Sequence, residues 1–151
     1  MLHFELELLN PGGGPIHGLA RGHMTVSGGQ GRATSRGKQP DQSMMIFVSA
    51  VELLDGIRRF VADRKTPAYN FVGADSSFQL WANRIGNDRI RLTGAAGAIE
   101  ELPAADLIAA VWDGVGAFLG EHLSALTPAD PVADDLRAAV TSFREAFHLP
   151  A

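Results

Sequence analysis

Cysteine is absent from the 151 residues. Its absence excludes disulfides, thiolate nucleophiles and zinc–thiolate centres. Lysine is nearly absent too: arginine supplies most of the 13 basic residues, and only Lys38 and Lys65 are lysines. With abundant Ala and Gly, this bias points to a GC-rich, actinobacterial-type genome. No apolar run approaches the ~20 residues of a membrane span. The start, Met1-Leu2-His3-Phe4-Glu5, lacks the basic region and apolar core of a secretion signal. The expectation is a cytoplasmic chain. An apolar content of 46% with 20% charge is ordinary globular composition, and the length suits one α+β domain over residues 1–151.

The net charge of −4 conceals an asymmetry. Up to Ala95 there are 11 Lys/Arg against 8 Asp/Glu, whereas from Ala96 onward there are 2 against 9. Charge separated in this way bears on partners and association rates rather than on fold.

The organising stretch runs from Ser43 to Leu92. Ser43-Met44-Met45-Ile46-Phe47-Val48 has the length and composition of a strand buried on both faces. Ser49 with Glu52 three residues on has capping-box spacing, which predicts a helix from Ser49 to near Arg64, ended by Pro67. Leu53, Leu54, Ile57, Phe60 and Val61 form its apolar stripe. Strands are expected at Tyr69-Asn70-Phe71-Val72, Phe78-Gln79-Leu80-Trp81-Ala82 and Arg89-Ile90-Arg91-Leu92-Thr93. The last two form a hairpin across the Gly86-Asn87-Asp88 turn, with Ile90 and Leu92 inward and Arg89 and Arg91 in water.

Before this stretch, residues 2–9 and 19–27 alternate as strands. Residues 28–42 are polar and Gly-rich, which predicts a flexible loop or a Gly-broken edge strand around Arg32. After it, Gly94-Ala95-Ala96-Gly97 is a break. A long helix is expected from about Pro103 to Leu126, with Glu100, Glu101 and Asp106 near its positive end. Gly114, Gly116 and Gly120 each weaken such a helix by about 1 kcal/mol against Ala. Ala109, Asp113, Gly116 and Gly120 share a face, so close contact with a neighbouring element is one candidate reason. A last helix runs from about Pro131 to His148, capped by Asp130. The architecture expected is a mostly antiparallel sheet, one central helix, and two C-terminal helices packed on one face.

Motifs that carry chemistry fail on inspection. Ser27-Gly28-Gly29-Gln30-Gly31-Arg32 lacks the Lys-Ser/Thr of a phosphate loop, and Gly37-Lys38-Gln39 fails at its last position. His3, His17, His23, His122 and His148 show no metal-ligand spacing, although His17 and His23 converge if their segments pair. Glu5 and Glu7 share a strand face, as an exposed strand requires. Arg58, Arg59, Arg64, Lys65, Arg84, Arg89 and Arg91 are candidates for a basic patch, but the chain's acidic balance argues against nucleic acid. No catalytic residue, metal or cofactor is expected.

Two surfaces remain. Asp106, Asp113, Glu121, Asp130, Asp134 and Asp135 predict an acidic face that suits a basic protein partner. Trp81, Trp112 and His23 mark an alternative: a small-molecule or enzymatic pocket between sheet and long helix. A homodimer through a sheet edge or the Gly116 face is a third arrangement.

The order of elements resembles the small bacterial immunity proteins of the WapI type, over about residues 44–126. The matching segments are Val51-Glu52-Leu53-Leu54-Asp55-Gly56-Ile57, Phe78-Gln79-Leu80-Trp81 and Arg89-Ile90-Arg91-Leu92. The resemblance implies a non-enzymatic cytoplasmic inhibitor that binds a cognate toxin domain, and it transfers no site residue. The acidic C-terminal half would suit a basic, nuclease-like toxin.

Overall fold

A computed structural model describes residues 1–150. It is an α+β fold of three helices and antiparallel strands, the class expected from the periodicities. The strands form two four-stranded sheets rather than one. In the first, β2 (Arg21–Ser27) is central. It pairs on one edge with β1 (His3–Leu8), and on the other with β3 (Arg32–Thr34) and β4 (Met44–Met45). Alternation decides the buried face: Phe4, Leu6, Met24 and Val26 point inward. The second sheet is a meander of β5 (Ala68–Val72), β6 (Gln79–Gly86), β7 (Arg89–Gly94) and β8 (Gly97–Pro103). The hairpin has the expected faces, with Ile90 and Leu92 buried and Arg89 and Arg91 exposed.

The Gly-rich run after β2 joins the sheets. Gln30 N–H donates to Ile99 O at 2.8 Å, and a Cβ at Gly28 would sit 2.7 Å from that same carbonyl. Close backbone approach therefore accounts for this glycine, where a phosphate loop would need a helix N-terminus. Part of residues 28–42 is the short edge strand β3. Ser35 then anchors the chain by accepting a hydrogen bond from Met24 N–H at 2.9 Å.

The central helix α1 (Ile46–Ala62) starts three residues earlier than expected. The apolar run 43–48 is strand only at β4, and Ser49 is fully buried inside the helix. No capping box forms. The Ser49 hydroxyl instead accepts from Ala74 N–H at 2.9 Å, tying α1 to the β5–β6 turn. A buried strand and a buried helix turn have the same short-range apolar signature, which is why the boundary misled. At the other end, Arg84 caps the helix. Its guanidinium donates to the carbonyls of Phe60, Asp63 and Thr66 and lies 4.6 Å over the Phe60 ring. It meets the need of a helix C-terminus for donors and positive charge.

The stretch before the long helix corrects a second expectation. Residues 97–103 are the edge strand β8, so Glu100 and Glu101 are not helix-start residues. Helix α2 (Ala104–His122) begins after Pro103, and residues 123–125 form a single 3-10 turn. α2 lies on β1, where Gly114 lets the backbones meet: an added Cβ would be 2.4 Å from Phe4 O. Helix α3 (Pro131–Phe147) packs chiefly on α1. Its cap is Asp130, whose carboxylate accepts from Val132 N–H at 3.0 Å and Gly18 N–H at 2.7 Å. One buried apolar core spans both sheets and all three helices.

Candidate functional site

The six predicted acidic residues do not form one face. Asp130 is committed to the α3 cap, and Asp134 faces Arg137 one turn on at 3.5 Å. Asp135 is exposed on α3. Asp106, Asp113 and Glu121 are exposed on α2. Asp106 and Asp113 are two turns apart, about 10.5 Å along one stripe, and Glu121 lies about 80° round the axis from Asp113 at 3.6 residues per turn.

Asp106 and Asp113 border a surface cleft of about 360 Å³ that also takes in Met1, His3, Glu100 and Ala109. Neither aspartate has a basic partner within ion-pair distance among the described residues. Glu100 is a third carboxylate there, offset by the N-terminal ammonium in the same cleft. It accepts from Gly29 N–H at 2.8 Å and approaches the N-terminal ammonium of Met1 at 3.6 Å. The sequence placed it at a helix start; its register on β8 brings it beside α2. The small Ala109 between the two aspartates keeps the stripe low, so an approaching surface reaches both carboxylates.

Trp81, Trp112 and His23 are not brought together. The space between α2 and the sheets is apolar core. Trp81 stands on the outer face of β6 between Asn70 and Thr93, in a cleft of about 320 Å³ walled by Arg32 and Lys38. Trp112 stacks on Phe143, with ring centroids 5.8 Å apart, beside a separate groove between α2 and α3. His23 Nδ1 is 2.8 Å from the Ser35 hydroxyl. His17 sits instead at the α3 N-terminus, in a cleft shared with Asp130 and Val132. His122 is half-buried against Phe118.

The candidate basic residues are largely neutralised or occupied. Arg64 pairs with Asp88 at 3.0 Å, Arg91 with Glu101 at 2.9 Å and Arg58 with Asp55 at 3.6 Å, while Arg84 is the α1 cap. Of Glu5 and Glu7, which share the outer face of β1, Glu7 is bound to Arg36. Arg21 is a structural residue that the sequence did not single out. It donates to Ser43 and to Asp75, joining β2 to two loops.

Among the described residues, no group of three or more His, Asp or Glu is placed to hold a metal ion. No helix there is long and apolar enough to cross a membrane. The fold and surface thus define an α+β domain with an acidic cleft along its second helix. No family model, curated protein or solved structure matches the chain.

Proposed function

We propose that this chain is a non-enzymatic, cytoplasmic binding protein of the immunity class, which neutralises a cognate toxin domain by docking a basic surface of it on the acidic cleft of α2. The observation that carries this reading is the pair Asp106 and Asp113. Both are exposed, two turns apart, and without an ion-pair partner among the described residues. Carboxylates so placed create a local negative field although the N-terminal half of the chain is net positive. A field of this kind accelerates encounter with a cationic partner and selects against an acidic one. The resemblance of residues 44–126 to WapI-type immunity proteins supports the same role.

Co-expression with the product of the adjacent upstream gene tests the proposal. The expected result is a stoichiometric complex that relieves that product's toxicity. Charge reversal (Asp106→Lys with Asp113→Lys) is expected to slow association about tenfold or more at low salt, an effect that fades as salt screens the field. Unchanged association at low salt would overturn the assignment of this cleft. Absence of both complex and toxicity would overturn the immunity role.

A further inference from the structure

The glycines of α2 fall into two kinds. Gly114 is required, because Phe4 leaves no room for a Cβ. Gly116 and Gly120 meet nothing within 4 Å, and neither has a positive φ. Alanine would fit at both and strengthen the helix by about 1 kcal/mol each. No contact among the described residues explains them. What they do is hold open one side of the groove between α2 and α3.

That groove has a volume of about 480 Å³, within the ordinary range for a small ligand. Trp112, Leu54, Val115, Leu119 and Val140 supply its apolar surface. Its polar side chains, Arg137, Thr141 and Arg144, all come from α3. Among the described residues, no carboxylate lines it. Arg144 is half-buried and has no ion-pair partner among the described residues. Arg137 has only Asp134, at 3.5 Å, with both side chains more than half exposed, a pair worth little. The groove therefore combines an aliphatic and aromatic floor with a cationic wall in which Arg144 has no ion-pair partner among the described residues.

We propose that this groove binds a long-chain carboxylate. The alkyl chain lies over Gly116 and Gly120 against Leu119 and Trp112, and the carboxylate accepts hydrogen bonds from Arg144, with Arg137 as a second cation. Both halves of the ligand follow from the lining. An apolar chain has a dry surface to cover, and a charge-assisted bond to guanidinium fixes its polarity. The site lies apart from the acidic cleft, so it stands or falls independently of the immunity reading.

The test uses the full chain carrying Trp81→Phe, which leaves Trp112 as the sole tryptophan. Sodium laurate below its micelle concentration is titrated while Trp112 fluorescence and calorimetric heat are followed. The expected result is saturable one-site binding. Arg144→Ala, or replacement of laurate by dodecanol, weakens it about tenfold or more, the loss expected for a hydrogen bond to a charged group. Gly116→Leu, which occupies the opened space, removes binding while circular dichroism shows a folded chain. Gly120→Leu serves as a second blocking variant should Gly116→Leu fail to fold. The proposal is overturned by any of four results: no saturable response to laurate, equal affinity for dodecanol, binding indifferent to the leucine and Arg144 variants, or a response confined to anionic phospholipid vesicles or to an acidic amphipathic peptide.

Discussion

Tyr69 shows how one side chain reports on its surroundings. Its hydroxyl donates to Glu52 O at 3.2 Å and its ring lies 6.4 Å from that of Phe60. Burial, reinforced by the nearby Glu52 carboxylate, raises its pKa well above the ordinary 10.0. The neutral phenol is thus the folded form. Below about pH 10 this costs nothing, because the phenol is protonated folded or unfolded. Above it the unfolded chain sheds the proton first, so stability falls as pH rises. Denaturant melts between pH 9 and 11.5 should show this decline, and Tyr69→Phe should flatten it. Gly56 faces the same ring, and an added Cβ would lie 2.0 Å from the Tyr69 oxygen. Gly56→Ala is therefore expected to destabilise the fold by about 1–3 kcal/mol in denaturant titration, despite alanine's better helix propensity. The glycine was visible in the sequence as part of the α1 pattern. Its necessity was not, because Tyr69 arrives from β5, thirteen positions along the chain.

At the scale of elements, α2 offers a comparison within one helix. Gly114→Ala must push β1 away from α2 and is expected to lower the melting temperature; Gly116→Ala and Gly120→Ala have free space and are expected to raise it. Equal shifts of all three would contradict the packing described. The α3 cap gives a second contrast. Asp130→Ala leaves both Val132 N–H and Gly18 N–H without their acceptor, so its loss should exceed the ~1 kcal/mol of an ordinary cap. Both α3 limits were legible, since Asp-Pro at the start carries its own local chemistry. The α1 start was not. Ser49 and Glu52 have the right spacing, but the fold places that serine in the core, where Ala74 uses its hydroxyl. Strand β8 was missed for a related reason: Glu100 and Glu101 resemble a helix start, and only pairing with β7 makes the segment extended.

Over the whole molecule, charge is the property that connects sequence to the proposed function. The acidic C-terminal half divides on folding into carboxylates that serve the structure and carboxylates that face solvent. Asp130 caps α3, Asp134 is paired, and Asp106 and Asp113 remain free. The basic residues divide likewise, with Arg84 and Arg21 spent on helix and loop anchorage. Net charge is expected to predict partner affinity poorly, and position to predict it well. Reversal at Asp113 alone should alter the salt dependence of association with the proposed partner, whereas Asp135→Lys, with the same change in net charge, should alter it much less. Association rates across a salt series decide between the two. Glu100 joins the acidic cleft across a sheet-to-helix contact, so no local pattern marks it.

Local rules sufficed for the α+β class, the Phe78–Thr93 hairpin with its buried and wet faces, the α3 cap and the absence of thiol chemistry. These depend on period, turn residues and composition, which act over a few positions. Tertiary structure alone decided that the strands split into two sheets. It also set Ser49 inside a helix and separated Trp81 from Trp112. And it left Gly116 and Gly120 facing an open groove while Gly114 became indispensable. Each of these depends on which distant segment fills the adjoining space, and packing of that kind has no signature in local sequence.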